Sequence, residues 1–295
     1  MRVTNSMVID TTLSDLNRAL SRLQGSQTDL TTGRMIRRPS DDPTRASAAM
    51  TIRNQLRRAD HNARSLDDAQ AWLNAADTAL VSGLDTLSSV KAAAVQAGNT
   101  GVSSPATREA IARSIDNMRE DLLALANTKF LNRSVFNGSA AGPAYDAAGV
   151  YRGNDAGVMR EIAPSTTVKV NMTGEEIFGR QTNLEDNVFA VLERLSLAVR
   201  AGDSAGMSAA HTDLDAAATR WSAAAAEIGS RSARVDGVQA RQASNDVMLR
   251  EALSELEDTD LAEALISVKA NENAYTAALG AAAKVLPPSL LDFLR

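Results

Sequence analysis

The sequence predicts a mainly α protein with a small β-rich insertion, its N- and C-terminal segments forming a long antiparallel coiled-coil-like helical rod. Three observations predict it. Leucine seams at heptad spacing occupy both ends of the chain, and glycine and proline cluster in its middle. Aromatic residues make up only 3% of the 295 residues, while alanine supplies much of the 44% hydrophobic content. Small side chains let helices approach closely, whereas a thick globular core needs larger ones.

Taken in order, Ile9, Leu13, Leu16, Leu20, Leu23 and Leu30 follow 4-3-4-3 spacing, with Gln27 at the one missing place. After a break at residues 31–42, Ile52, Ala59, Leu66, Leu73, Leu80 and Leu87 recur every seventh residue. Their expected companions are Leu56, Ala63, Gln70, Asp77 and Leu84. Ser104 followed by Pro105 reads as an N-cap with proline at the first helical position, opening a helix with its seam at Ile111, Ile115, Met118, Leu122 and Leu125. Between 127 and 180 the character changes. "VYRGNDAGVMREI" reads as two strands around a turn, and "TTVKVNM" alternates as a half-buried strand does. Helix returns near Val188, and the longest seam follows: Met207, Leu214, Trp221, Ile228, Val235, Gln242, Leu249 and Leu256. A repeat sustained that long indicates a coiled-coil-like helix. Asp260 caps a last helix with Leu261, Leu265, Val268, Tyr275, Leu279 and Leu286 along it, and Pro287-Pro288 ends it. The expected division is a terminal helical part (1–40 plus 258–295), a long-helix bundle (41–130 plus 181–257) and a β-rich insertion (131–180). Seven arginines against five acids in 1–45 face nine acids against four bases in 246–295, so charge mildly favours pairing of the two ends.

Nothing in the sequence points to an enzyme or a cofactor. There is no cysteine, which removes disulfides, thiolate nucleophiles and cysteine metal sites. His61 and His211 stand in helical stretches outside any metal-ligand spacing, and the adjacent pairs Asp41-Asp42 and Asp67-Asp68 point in different directions on a helix. A net charge of −5 argues against a dedicated nucleic-acid binder. There is no run of 18 apolar residues, and the opening "MRVTNSMVID" has too short an apolar stretch for a cleaved secretory signal.

The break "LTTGRMIRRPSDDPTRAS" carries Arg34, Arg37, Arg38, Pro39, Asp41, Asp42 and Pro43 between two long helical patterns. Its arginines are followed at once by acids and have no interleaved aromatic for base stacking, which disfavours nucleic acid. Asp42 at the N-cap with Pro43 at the first helical position starts the next helix. Arginine forks and carboxylates on a stiff loop suit directional contact with a neighbouring subunit.

The order of parts resembles the flagellin superfamily of bacteria: N-terminal heptads, "TTGRMIRRPSDDPTRA", a variable middle, and C-terminal heptads ending in "AYTAALGAAAKVLPPSLLDFL". "RPSDDP", "FNGS", "YRGNDAG", "NMTGEEIFG" and "SLLDFL" are nearer its hook-associated branch than its filament flagellins. Asn132-Arg133 stand where that branch commonly has glycine, and Arg295 after "DFL" is a filament-flagellin trait, so a filament subunit stays as the alternative. The resemblance implies an inner tube built by the terminal helices, a surrounding layer of longer helices and an outer insertion. The charged loop would be a subunit contact. Terminal assembly seams would run along Leu13, Leu16, Leu20, Leu23 and Leu30 and along Leu265, Val268, Tyr275, Leu279, Leu286, Leu291 and Phe293. It also implies, as partners, copies of the chain itself, a hook-associated protein on the hook side, flagellin on the filament side and an export chaperone, with no nucleic acid or membrane. Location would be the extracellular flagellum, reached through the flagellar export apparatus without a cleaved signal.

Overall fold

The computed structural model describes residues 5–99, 104–163, 166–180 and 187–285. Among the described residues, seven helices and four short strands run in the order α1 (Asn5–Thr32), α2 (Pro43–Gly98), α3 (Pro105–Ala126), β1 (Lys129–Phe130), β2 (Arg133–Ser134), β3 (Met159–Ala163), β4 (Thr166–Lys169), α4 (Gly174–Phe178), α5 (Val188–Ala201), α6 (Ser204–Glu257) and α7 (Leu261–Val285). The protein is mainly α, as the seams predict, with only two-stranded sheets. The chain forms two compact units, Met1–Arg58 with Asn245–Arg295, and Ala59–Ser244.

Sequence-legible caps set the helix starts. Asp42 accepts from the amides of Thr44 and Arg45 at 3.0 Å each, Ser104 from Thr107 at 3.2 Å, and Asp260 from Ala262 at 2.8 Å. Each satisfies donors that the first helical turn leaves open.

In the Ala59–Ser244 unit, α2 and α6 run antiparallel. Asp67 accepts from Gln239, Gln70 donates to Ser232, Gly83 lies against Trp221, and Lys91 pairs with Asp215, so partners descend along α6 as α2 ascends. The every-seventh line Leu66, Leu73, Leu80 and Leu87 is buried throughout. Its companions differ from expectation. Ala69, Ala76, Gly83 and Val90 are buried, three residues after each leucine, whereas Asp77 is exposed and Gln70 and Leu84 are only half-buried. The small residues give the facing helix room to approach, and residues three and four apart are equally available as neighbours.

The region 127–180 contains less strand than expected. "TTVKVNM" does supply β4, but its partner is β3 through the Glu161–Thr167 register, with an irregularity between Glu161 and Ala163. The expected hairpin within "VYRGNDAGVMREI" does not form. Tyr151 instead bridges to Tyr145, and the stretch before β3 is held by side chains acting as backbone surrogates. Buried Asn171 accepts from the Val158 amide at 2.7 Å and donates to the Ala156 carbonyl. Asn127 exchanges both bonds with Tyr145, at 2.9 Å each way. Arg231 on α6 and Arg119 on α3 donate to the loop carbonyls of Asn171 and Ala148, and Arg220 on α6 donates to the Ile177 carbonyl of α4, tying the insertion to the helices beneath it. No alternation pattern encodes such bonds.

Five phenylalanines, three tyrosines and two tryptophans are all the aromatics present, and every one except Tyr275 and Phe293 lies in this unit. Phe178 is central. Its ring meets Trp221 edge-on at 5.0 Å, Phe136 at 5.7 Å, Tyr145 at 5.3 Å and Phe189 at 5.6 Å. Six of these aromatics gather in one thick node where the insertion sits on α5 and α6, while Trp72 and Phe130 pair with each other at 5.8 Å.

The β1–β2 hairpin turns through Leu131 and Asn132 at φ 47° and 63°. Two positive φ values are what a tight hairpin turn of matching twist demands. Asparagine tolerates the left-handed region; leucine does not. Leu131 is 76% exposed and so gains little from burial. Leu131→Asn is expected to stabilise the protein by about 1 kcal/mol, read as a raised melting temperature. An unchanged melt would mean the turn carries no strain.

Candidate assembly surfaces

The terminal unit is built on the pair α1 and α7, which pack along each other. The Arg34–Asp258 bridge at one end and the Asn271–Ser26 hydrogen bond farther along fix their antiparallel order. On α1 the inward line is Ile9, Thr12, Leu16, Ala19, Leu23, Ser26 and Leu30, in 3-4-3-4 spacing; Ala19, Leu23 and Ser26 are fully buried. On α7 it is Ala264, Val268, Asn271, Tyr275, Ala278 and Ala282. Ala264 and Ala282 are the most buried of these. Asn271 was invisible as a site in the leucine count, although a polar residue midway between Val268 and Tyr275 is the usual register-setting device in a helical pair.

This geometry sorts the seam residues named from sequence. Leu16, Leu23, Leu30, Val268 and Tyr275 face into the pair. Leu13, Leu265 and Leu279 are left outside at 46%, 59% and 42% exposure, joined by Leu261 and Ile266, and Leu20 stands half-buried on the flank. Leu286, Leu291 and Phe293 lie outside the described residues. Leucines of this regularity, kept in water on both helices, form an apolar face that the described residues of one copy do not cover.

The charged loop follows α1. Gly33, at φ 64°, ends the helix in the left-handed conformation and its amide donates to the Asp29 carbonyl at 2.9 Å. Met35 then donates to the Glu257 carbonyl at 2.8 Å and Thr259 to the Gly33 carbonyl at 3.0 Å, locking the loop to the end of α6. The acids are used internally: Asp41 accepts from the amides of Arg37 and Arg38 at 3.1 and 2.8 Å, and Asp42 caps α2. Pro39 and Pro43 stiffen both sides of that turn. Arg37 pairs with Asp29 at 3.1 Å. Arg53 reaches Glu257 at 2.7 Å, and that carboxylate is only 7% exposed. Neither Arg53 nor Glu257 had been singled out, since their contact spans 204 residues of sequence. Between them and the loop lies a cleft of about 290 Å³, lined by Arg34, Arg38, Met50, Arg53 and Glu257 among others.

The two amide hydrogen bonds from Arg38 and Arg37, followed by their positive charges, hold the Asp41 carboxyl below its ordinary 3.8. A depressed carboxylate contributes stability above its unfolded value, and that contribution is lost as pH falls through the folded one. The Arg37 and Arg38 amide resonances should therefore titrate together with a midpoint below 3.8. A midpoint at or above it would show that the loop bonds do not form.

Among the described residues, no three acid or histidine groups converge to hold a metal, and no helix is long and apolar enough to cross a membrane. What the terminal unit offers is a rigid charged loop beside an uncovered apolar face. Such surfaces suit repeated contact between copies.

Residues 3–141 match the family model of the bacterial flagellin N-terminal helical region. In this segment and in fold the chain is similar to flagellin-type proteins of the bacterial flagellum. Flagellar hook-associated protein 3 of Salmonella typhimurium is 24% identical over 213 residues, covering 68% of this chain and 67% of that one. Flagellin of Bacillus subtilis is 23% identical, aligned across 100% of both chains. The solved structure of a flagellar hook-associated protein from Vibrio parahaemolyticus superposes with a TM-score of 0.68 at 18% identity, over 74% of this chain and 100% of its own.

Proposed function

We propose that the protein is a flagellar hook-associated protein 3, a structural adaptor that joins hook to filament by assembling into a helical layer. The observation that carries the reading is the α1–α7 pair. It closes on an inward line in which small and polar residues alternate with Leu16, Leu23, Leu30, Val268 and Tyr275, and keeps Leu13, Leu265 and Leu279 on the outside for neighbours. Residues 1–40 plus 258–295 would form the inner tube, 41–130 plus 181–257 the surrounding bundle and 131–180 the outer part. The loop Arg34, Arg37, Arg38, Pro39, Asp41, Asp42 and Pro43 would be a subunit contact. Heterologous contacts repeated by a screw operation give an open array, which requires stiff, directional surfaces of this kind. Its partners are copies of itself, a hook-associated protein on one side and flagellin on the other. A chaperone would cover the C-terminal apolar face before export through the flagellar apparatus. The protein performs no catalysis.

Filament flagellin is the second reading, favoured by the end-to-end alignment with the Bacillus subtilis protein. Immunogold labelling of intact flagella separates the two. Label confined to the zone where hook meets filament supports the adaptor; label along the filament overturns it in favour of flagellin.

A further inference from the structure

The terminal unit carries two complementary faces that a single copy cannot bring together. The cleft beside the charged loop has Arg34 and Arg38 on its lining; among the described residues neither guanidinium makes a hydrogen bond or ion pair, although the charge of Arg38 acts on nearby Asp41. Beside them Met35 and Met50 are 45% and 50% exposed. The cleft is thus cationic with an apolar rim.

The end of α6 supplies the opposite character. Glu257 turns into the cleft towards Arg53. At 100° per residue, Met248 and Glu255 project roughly 160–180° away from Glu257 and Glu251 about 120° away. Val247 and Met248 are 54% and 58% exposed, and Glu251 and Glu255 are exposed carboxylates without a partner among the described residues. This back face of α6 is anionic with Met248 beside its charges and Val247, about 80° from Glu257, flanking it. Cations and methionines on one side therefore match carboxylates and methionine on the other, but the two sides point apart.

We propose that the arginine cleft of one copy receives the Met248–Glu255 face of α6 from the next copy. The proposal rests on the reading that the protein assembles into a layer, and names the contact within it. Surfaces on opposite sides of one helix make a head-to-tail contact that repeats without closing on itself. The charge match fixes which faces meet, while the methionines supply adaptable apolar contact.

The chain has no cysteine, so disulfide trapping needs no background removal. Flagella carrying the full chain with Arg38→Cys and Glu255→Cys should give, on oxidation, a ladder of covalent dimers, trimers and larger species that collapses with reductant. Arg38→Cys combined with Glu120→Cys, an exposed acid on α3, should give none. Monomer alone from flagella that contain the doubly substituted chain overturns the contact but leaves the adaptor reading intact. Absence of the unsubstituted chain from flagella overturns the adaptor reading itself. Charge reversal gives a second readout. Arg38→Glu should abolish incorporation and Glu255→Arg should restore it in the same chain; a combination no better than Arg38→Glu alone overturns the proposal.

Discussion

Trp221→Ala is expected to destabilise the Ala59–Ser244 unit by about 3–5 kcal/mol, the range for emptying a buried aromatic site. Trp221 is 1% exposed, packs edge-on against Phe178, and lies so close to Gly83 that a Cβ built there would come within 2.1 Å of its ring. Gly83 is thus the hole for this side chain. In the wild-type background Gly83→Ala should cost about 1–3 kcal/mol by overpacking, even though alanine is the better helix former by roughly 1 kcal/mol. With Trp221 removed the steric cost vanishes and only the helix preference remains, so the same substitution should stabilise. Thermal unfolding of the four proteins in the cycle reads this directly, the sign change being the diagnostic. Equal destabilisation by Gly83→Ala in both backgrounds would show that the glycine serves some purpose other than admitting the ring.

That contact also shows what sequence pattern reaches and what it misses. Helix existence, the caps at Asp42, Ser104 and Asp260, and the every-seventh lines in α2 and α6 were legible because each depends on residues near one another in the chain. The companion line was not. A leucine at one heptad position can be matched three or four residues away, and the small residues that win in α1 and α2 announce themselves only against a facing helix. Leucine counting therefore assigned Leu13 and Leu265 to lines they flank. The hairpin expected across Val150–Ile162 failed for a related reason: half-buried Asn127 and buried Asn171 supply backbone-like hydrogen bonds across 18 and 13 residues, making strand pairing there unnecessary. At the charged loop the acids were legible as turn formers, whereas the Arg53–Glu257 pair depended on contacts between distant parts of the sequence.

The largest effect on assembly is expected from Leu265→Asp with Leu279→Asp. Both leucines lie on α7 outside the line that faces α1, at 59% and 42% exposure, so aspartate there remains solvated in the isolated chain. Helix α7 should keep its pairing through Ala264, Val268, Asn271, Tyr275 and Ala282, and the circular dichroism of the purified protein should be unchanged. In an assembled layer the same positions would be covered by neighbouring copies, and two buried carboxylates without partners would each cost several kcal/mol. Incorporation into flagella should then fall by 100-fold or more. Ala282→Asp provides the contrast. It places the charge inside the pair, where Ala282 is 6% exposed, and should melt α7 before assembly is ever tested. If the leucine variant instead lost helix content as Ala282→Asp does, those leucines would be holding the monomer together. If it stayed folded and still assembled normally, the outward leucines would be ordinary surface residues, and the adaptor reading would lose the observation that carries it.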